Sequence, residues 1–185
     1  MDENPRSASP TDEELVQRVR KGDEQAMSLL VDRHDGVVFR TCAAILNDED
    51  LAADASQNSF LKAFRAIERF RGEAAFRTWL LAIAGNEARG FLRKVKRRRE
   101  DRYEDLDELP AVGNDPSVEV TLRSEVERVR EVLADLPEKQ RLSVTLRIFE
   151  GLSFREIGDS IDSTEGSARV NYHHGIQRLR ELLGA

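Results

Sequence analysis

Apolar residues recur along this chain at intervals of three and four and alternate with polar ones over no appreciable length, a pattern that predicts helices and no strand. Thr11-Asp12-Glu13-Glu14 opens the first helix, because the Thr11 hydroxyl and the Glu14 carboxylate can satisfy each other's orphan amides as a capping box. Leu15, Val16 and Val19 form its apolar stripe, and Gly22 ends it. Asp23 caps a second stretch with Met27, Leu30, Val31 and His34 on one side, expected to pause at Gly36 and resume from Val37 to Leu46. Asn47 to Asp50 mark a break, after which a third helix is expected to reach about Ala66 with Leu51, Ala55, Leu61 and Phe64 near its apolar stripe. A loop from Phe70 to Ala75 leads into a long helix with the stripe Phe76, Leu80, Ile83, Glu87 and Phe91. Glu87 interrupts that stripe, and Gly85 and Gly90 each cost about 1 kcal/mol relative to alanine, so neighbouring helices are expected to hold it in shape.

Periodicity lapses from Glu100 to Pro116, a stretch rich in acids with Pro110, Gly113 and Pro116, and this reads as a linker. Beyond it Val118, Leu122, Val126, Val129 and Leu133 recur at helical spacing. Pro137 suits a first helical turn, and the helix it starts carries Leu142, Leu146 and Phe149 before Gly151. Ser153-Phe154-Arg155-Glu156 is a second capping box opening a short helix with Ile157 and Ile161. Asp162-Ser163 then turn into a final helix with Ala168, Tyr172, Ile176, Leu179 and Leu183 inward. A short helix, a turn and a longer helix with a polar outer face make a helix-turn-helix. The expected architecture is therefore all-α. Residues 1–10 are disordered, 11–99 form one small helical domain, 100–117 an acidic flexible linker, and 118–185 a second, four-helix domain containing the helix-turn-helix.

Charge distribution sharpens the picture. The net charge of −6 disfavours a nucleic-acid partner only on average. Arg89 to Arg102 carry eight basic residues against two acids, whereas Glu100 to Glu119 carry eight acids against one base. A cationic stripe thus ends the long helix beside an acidic linker. Ahead of it, Phe70-Arg71-Gly72-Glu73-Ala74-Ala75-Phe76 is expected to set exposed aromatics at a glycine turn. Aromatic faces stack on unpaired bases while arginine and lysine hold phosphates. The outward candidates on the final helix are Glu165, Ser167, Arg169, Val170, Asn171, His173, His174 and Arg178, placed to reach base edges or else simply to solvate a helical hairpin.

These residues are similar to the small extracytoplasmic-function group of bacterial sigma factors. The likeness is carried by Asp54-x-x-Gln57-x-x-Phe60-Leu61-Lys62-x-Phe64, Phe70-Arg71-Gly72-Glu73, and Thr78-Trp79-Leu80-x-x-Ile83-Ala84-x-Asn86-x-x-Arg89. A second block, Leu136-Pro137-x-x-x-Arg141, Gly151-Leu152-Ser153-Phe154-x-Glu156-Ile157 and Gly166-Ser167-Ala168-Arg169, follows in the expected order. The resemblance implies that Asp54, Gln57, Phe60 and Lys62 dock onto core RNA polymerase. It implies that Arg69, Phe70, Arg71, Phe76 and Asn86 capture and melt the minus-ten element, with Arg89, Arg93, Lys94, Lys96 and Arg97 on its backbone. Trp79 is read as core rather than wedge. The helix-turn-helix would read the minus-thirty-five element through Ser167, Arg169, Val170, Asn171, His173, His174 and Arg178. Val170 and His174 stand where many members carry a serine and a second arginine, so the preferred promoter sequence does not transfer. The acidic linker is implied to thread polymerase channels, and an anti-sigma partner to wedge between the domains.

An enzyme is disfavoured. The acids Asp48, Glu49, Asp50 and Asp54 gather at one helix start, where they suit the helix dipole without any metal. His173 and His174 point about 100° apart on a helix and cannot share a metal in the usual way. No phosphate-cradling glycine loop is present, and no cofactor is implied. Cys42 lies in an apolar run and reads as a core residue. The N-terminus lacks a signal pattern and no apolar run reaches spanning length, so a soluble cytoplasmic protein is expected. The alternative function is a two-domain regulator that binds duplex DNA without polymerase.

Overall fold

A computed structural model describes residues 9–103 and 131–183, except for the side chains of Lys96 and residues 98–103. Its elements are α1 (Asp12–Arg20), α2 (Glu24–Leu46), α3 (Glu49–Arg65), a 3-10 turn (Ile67–Arg69), α4 (Phe76–Tyr103), α5 (Glu138–Ile148), α6 (Phe154–Ser160) and α7 (Glu165–Leu183). Among the described residues there is no strand. Residues 131–134 are helical and precede α5. The expected linker beyond residue 103, and the stripe from Val118 to Val129, lie outside the described residues.

Local chemistry sets most boundaries. Both capping boxes form: Thr11 Oγ1 accepts from the Glu14 amide at 3.2 Å while Glu14 accepts from Thr11 N at 2.9 Å, and Ser153 and Glu156 repeat the exchange. Asp23 and Asp48 cap α2 and α3 by accepting from Ala26 and Leu51. Asn47 ends α2 in the left-handed region, φ 52°, a conformation asparagine tolerates better than most residues. Two expectations need correction. α2 runs unbroken through Gly36, because Val37, Val38 and Leu30 are buried on both sides of it and their packing outweighs one glycine's propensity. α4 continues to Tyr103, so residues 100–103, expected to begin the linker, extend the helix instead.

The core also departs from the predicted stripes. Leu61, Phe149 and Leu183 are expected inward, yet they are 48%, 55% and 41% exposed. Small residues take the contact positions: Ala52, Ala55, Ser59 and Ala63 on α3, and Ala168 and Gly175 on α7. Glu87 is buried and pairs with Lys62, so the polar gap in the α4 stripe is an inter-helix tie between α3 and α4. Cys42 is fully buried as expected, and burial pushes its thiol up to about 12.

The N-terminal helices α1–α4 and the C-terminal helices α5–α7 pack on one another. Leu142, Leu146, Leu152, Ile157 and Ile161 join the same buried cluster as Leu30, Val38, Leu80 and Ala84. Polar contacts rim this seam. Arg40 Nε meets Glu150 Oε1 at 2.6 Å, Arg77 Nη2 meets the Glu150 carbonyl at 2.8 Å, and Arg89 Nε meets Glu138 Oε1 at 2.8 Å. Arg141 donates to the carbonyls of Ala44 and, at 2.8 Å, Ala134, and burial lowers its pKa.

Candidate nucleic-acid and polymerase surfaces

Three surfaces carry the sequence-predicted residues. The first is the loop before α4 and the outer side of that helix. The expectation of exposed aromatics there is corrected: Phe76 is fully buried and Phe70 is 7% exposed. Phe70 stands edge-on to Phe76 with ring centroids 5.7 Å apart, and lies 5.2 Å from the half-buried Trp79. Apolar rings beside an α4 rich in buried leucines gain more from this cluster than from water. Arg20 of α1 fixes the loop by donating to the carbonyls of Ile67, at 3.1 Å, and Phe70. A lone arginine in a helix carries no sequence signal for that role. What the 3-10 turn and the loop expose is charged and polar, with acids beside the bases: Glu68, Arg69, Arg71, the positive-φ Gly72 and Glu73. Arg71 is loosely paired with Glu73 at 3.8 Å, both being largely exposed.

Along α4, Asn86 is exposed and its Oδ1 accepts from Arg89 Nη1 at 3.4 Å. It lies ten residues past Phe76, about 15 Å along the helix axis. Asn86 therefore stands about three helical turns beyond the start of α4 that the loop arginines precede. Arg93, Lys94 and Arg97 are exposed beyond it, with Lys94 5.4 Å from the Phe91 ring. The Lys96 side chain lies outside the described residues. Arg89 faces the seam instead, bonded to Glu138, with its Nη2 buried and without a partner.

The second surface is α3. Asp54 and Gln57 are exposed one turn apart, as the spacing required. Phe60 is 6% exposed and Lys62 pairs with Glu87, so the face expected to comprise four residues presents Asp54 and Gln57 while Phe60 packs inward and Lys62 reaches across to α4.

The third surface is the helix-turn-helix. Gly158 makes its turn possible, since a Cβ there would lie 2.9 Å from both Ser163 O and Thr164 C. Asp162 turns the chain at φ 52°. Thr164 then caps α7, its hydroxyl accepting from Ser167 N at 3.1 Å. Ser167, Arg169, Val170, His173, His174 and Arg178 are exposed on α7, and Asn171 is half-buried. Gly175 lets α7 approach α5 closely, because a Cβ there would come within 2.7 Å of Val144 Cγ2. Hydrogen bonds from the Ser153 hydroxyl and amide lower the Glu156 pKa, favouring the ionised carboxylate that the capping box uses.

Family comparisons follow the same division. A model of sigma-70 region 2 matches residues 30–99, and one of sigma-70 region 4 matches residues 126–179. The ECF RNA polymerase sigma-E factor of Haemophilus influenzae is 39% identical over 181 residues, covering 94% of this chain and 93% of its own. This chain belongs to the ECF sigma factors. Similar too are the RNA polymerase sigma-H factor of Pseudomonas aeruginosa, at 34% identity over 93% of this chain, and the sigma-E factor of Escherichia coli K12, at 36% over 94%. Among solved structures the fold is similar to CnrH in complex with the cytosolic domain of CnrY. That match has a TM-score of 0.70 and 22% identity, and covers 94% of this chain and 97% of that one. The sigma factor RpoE of Bartonella quintana, solved with the anti-sigma factor NepR, matches with a TM-score of 0.68 and 20% identity over 85% of this chain and 96% of that one. As an ECF sigma factor the protein works in transcription initiation with core RNA polymerase and promoter DNA. Among the described residues no helix is long and apolar enough to cross a membrane.

Proposed function

We propose that this sigma factor divides its work between the two helical groups and acts in the cytoplasm without catalysis of its own. Residues 11–99 bind polymerase through Asp54 and Gln57 on α3, and open the minus-ten element with the loop arginines, Asn86 and the cationic end of α4. Residues 118–185 read the minus-thirty-five element with α7, and the acidic stretch after Tyr103, up to residue 117, joins the two. Phe70 and Phe76 serve the minus-ten site as the floor that holds the loop, with base capture falling to the groups above them. Unstacking a base costs a few kcal/mol, which a preformed polar strip and phosphate contacts offset.

The observation that carries this reading is one of placement. The two matched regions hold, in order, an exposed polar strip on α4 that ends in a basic run and a helix-turn-helix with an exposed arginine- and histidine-bearing face. An anti-sigma partner belongs to the same proposal, supported by similar folds having been solved with CnrY and NepR. Promoter-specific transcription by core polymerase plus this protein is the test. Specific duplex binding by the protein alone, with no effect on polymerase, would establish the regulator reading instead.

A further inference from the structure

We infer that Phe154, which is not among the residues assigned to DNA or polymerase, is the positioning residue that sets how Arg169 is presented to the minus-thirty-five element. The inference rests on the proposed role of Arg169 in reading that element.

The Phe154 side chain leaves the first turn of α6 half-buried, on the side of the helix-turn-helix that faces α7. Arg169 Cζ lies 5.1 Å from its ring centroid, within the range of a cation–π contact. The Arg169 guanidinium is gripped a second time by Glu165 Oε1, 2.9 Å from Nη2. Arg147 lies over the same ring at 5.0 Å and is itself anchored through Nη1 to the Leu152 carbonyl at 2.7 Å. The rings of Tyr172 and His173, at 5.5 and 6.4 Å, complete the surroundings of Phe154. One phenyl group thus joins the fixed helix of the motif to two side chains expected to meet DNA, Arg169 and His173.

The chemistry explains why orientation matters here. A guanidinium discriminates a guanine by presenting two N–H groups in the plane of the base edge. An unrestrained arginine on a helix surface samples many rotamers and loses that freedom on binding. A guanidinium already held over a ring and tied to a carboxylate has a restricted plane before DNA arrives. Aliphatic replacement of Phe154 would fill much of the space but supply no negative ring face for the cation.

The test is a double-mutant cycle in the full-length protein with core polymerase, scored by selection over promoters randomised across the minus-thirty-five element. Arg169→Ala should relax preference about tenfold at the position it reads. Phe154→Leu should relax the same position about threefold and leave the others unchanged, Phe154→Tyr should behave as wild type, and Phe154→Leu combined with Arg169→Ala should match Arg169→Ala alone. Phe154→Met gives a second variant without the ring should the leucine fold poorly, and thermal melts accompany each. Equal weakening of every promoter by Phe154→Leu and Phe154→Met, or additive effects in the double variant, would overturn the inference and leave Phe154 a packing residue. If Arg169→Ala alone shifts no preference, it is the reading of Arg169 that falls, and this inference with it.

Discussion

Arg89 Nε donates to Glu138 Oε1 at 2.8 Å, tying α4 of the N-terminal group to the first turn of α5 in the C-terminal group. The resemblance to the family also implies that Arg89 meets the minus-ten backbone, and Glu138 occupies a donor that a phosphate would need there. Both side chains are partly exposed, at 21% and 34%, which limits the pair to about 1 kcal/mol at most. Glu138→Gln is therefore expected to tighten binding of a single-stranded minus-ten oligonucleotide to the isolated protein by about two- to fivefold. Fluorescence anisotropy at low salt measures this. An unchanged affinity would mean that the pair does not compete with DNA.

Gly158 should tolerate no side chain. A Cβ would meet backbone atoms of Ser163 and Thr164 at 2.9 Å and Glu165 N at 3.1 Å, and backbone cannot swing aside as a side-chain end can. Gly158→Ala is expected to cost about 1–3 kcal/mol in urea unfolding. Gly166→Ala is the control, with nothing nearer than the Thr164 hydroxyl at 4.0 Å, and should be neutral or slightly stabilising. Equal stability of the two variants would show that the turn relaxes freely.

Features fixed by neighbours in sequence are legible in it, and those fixed across the fold are not. The capping boxes at Thr11 and Ser153 and the break at Asn47 depend on hydrogen bonds and φ angles spanning a few residues, and each forms as the pattern requires. Arg40–Glu150 and Arg77–Glu150 join residues far apart in the chain, and no periodicity announces them. The aromatic loop misleads for a related reason. Phe70 and Phe76 look like a stacking platform in sequence, but Arg20, fifty residues before Phe70, draws the loop backbone down and both rings pack together with Trp79, which the sequence already assigned to the core. Lys62 and Glu87 show the same limit: each helix pattern assigns its own residue, whereas the fold pairs them. The outer face of α7 is legible at most positions because a helix with one packed side exposes the other.

Acid should weaken the α1–α2 contact through His34. This ring is 5% exposed, packs 5.6 Å from Phe76, and has Nε2 2.7 Å from Asp12 Oδ2. Burial lowers its pKa below 6.5 despite the opposing pull of Asp12, and Arg33 and Arg77 lower it further. A folded pKa below the unfolded one means that the unfolded chain takes up the proton first. Stability is therefore full above the ordinary histidine value and falls as pH drops below it toward the folded pKa. Melting temperatures between pH 7.5 and 5.5 should decline more for wild type than for His34→Gln. Parallel declines would assign the acid sensitivity to other groups.

The proposed polymerase and DNA surfaces should separate by mutation, provided exposed residues are used. Phe70→Ala is a poor probe because it empties a buried site at a cost of about 3–5 kcal/mol, and a failure of strand opening would then report a failure of folding. Asp54 and Gln57 are exposed on α3, so Asp54→Ala with Gln57→Ala should leave stability within about 0.5 kcal/mol of wild type. If they dock on polymerase, the double variant should co-purify with core polymerase about tenfold less well, as loss of about 1.4 kcal/mol requires. Arg71→Ala with Arg93→Ala removes two exposed cations proposed to meet the minus-ten element and should leave that co-purification intact. Its strand opening, followed by permanganate reactivity of unpaired thymines, should fall. The logarithmic salt slope of single-strand binding should become shallower by about 0.7 for each phosphate that the variant no longer neutralises. Matching falls in polymerase binding for both double variants would mean that α3 and the α4 strip form one surface, and the division of labour proposed for them would not stand.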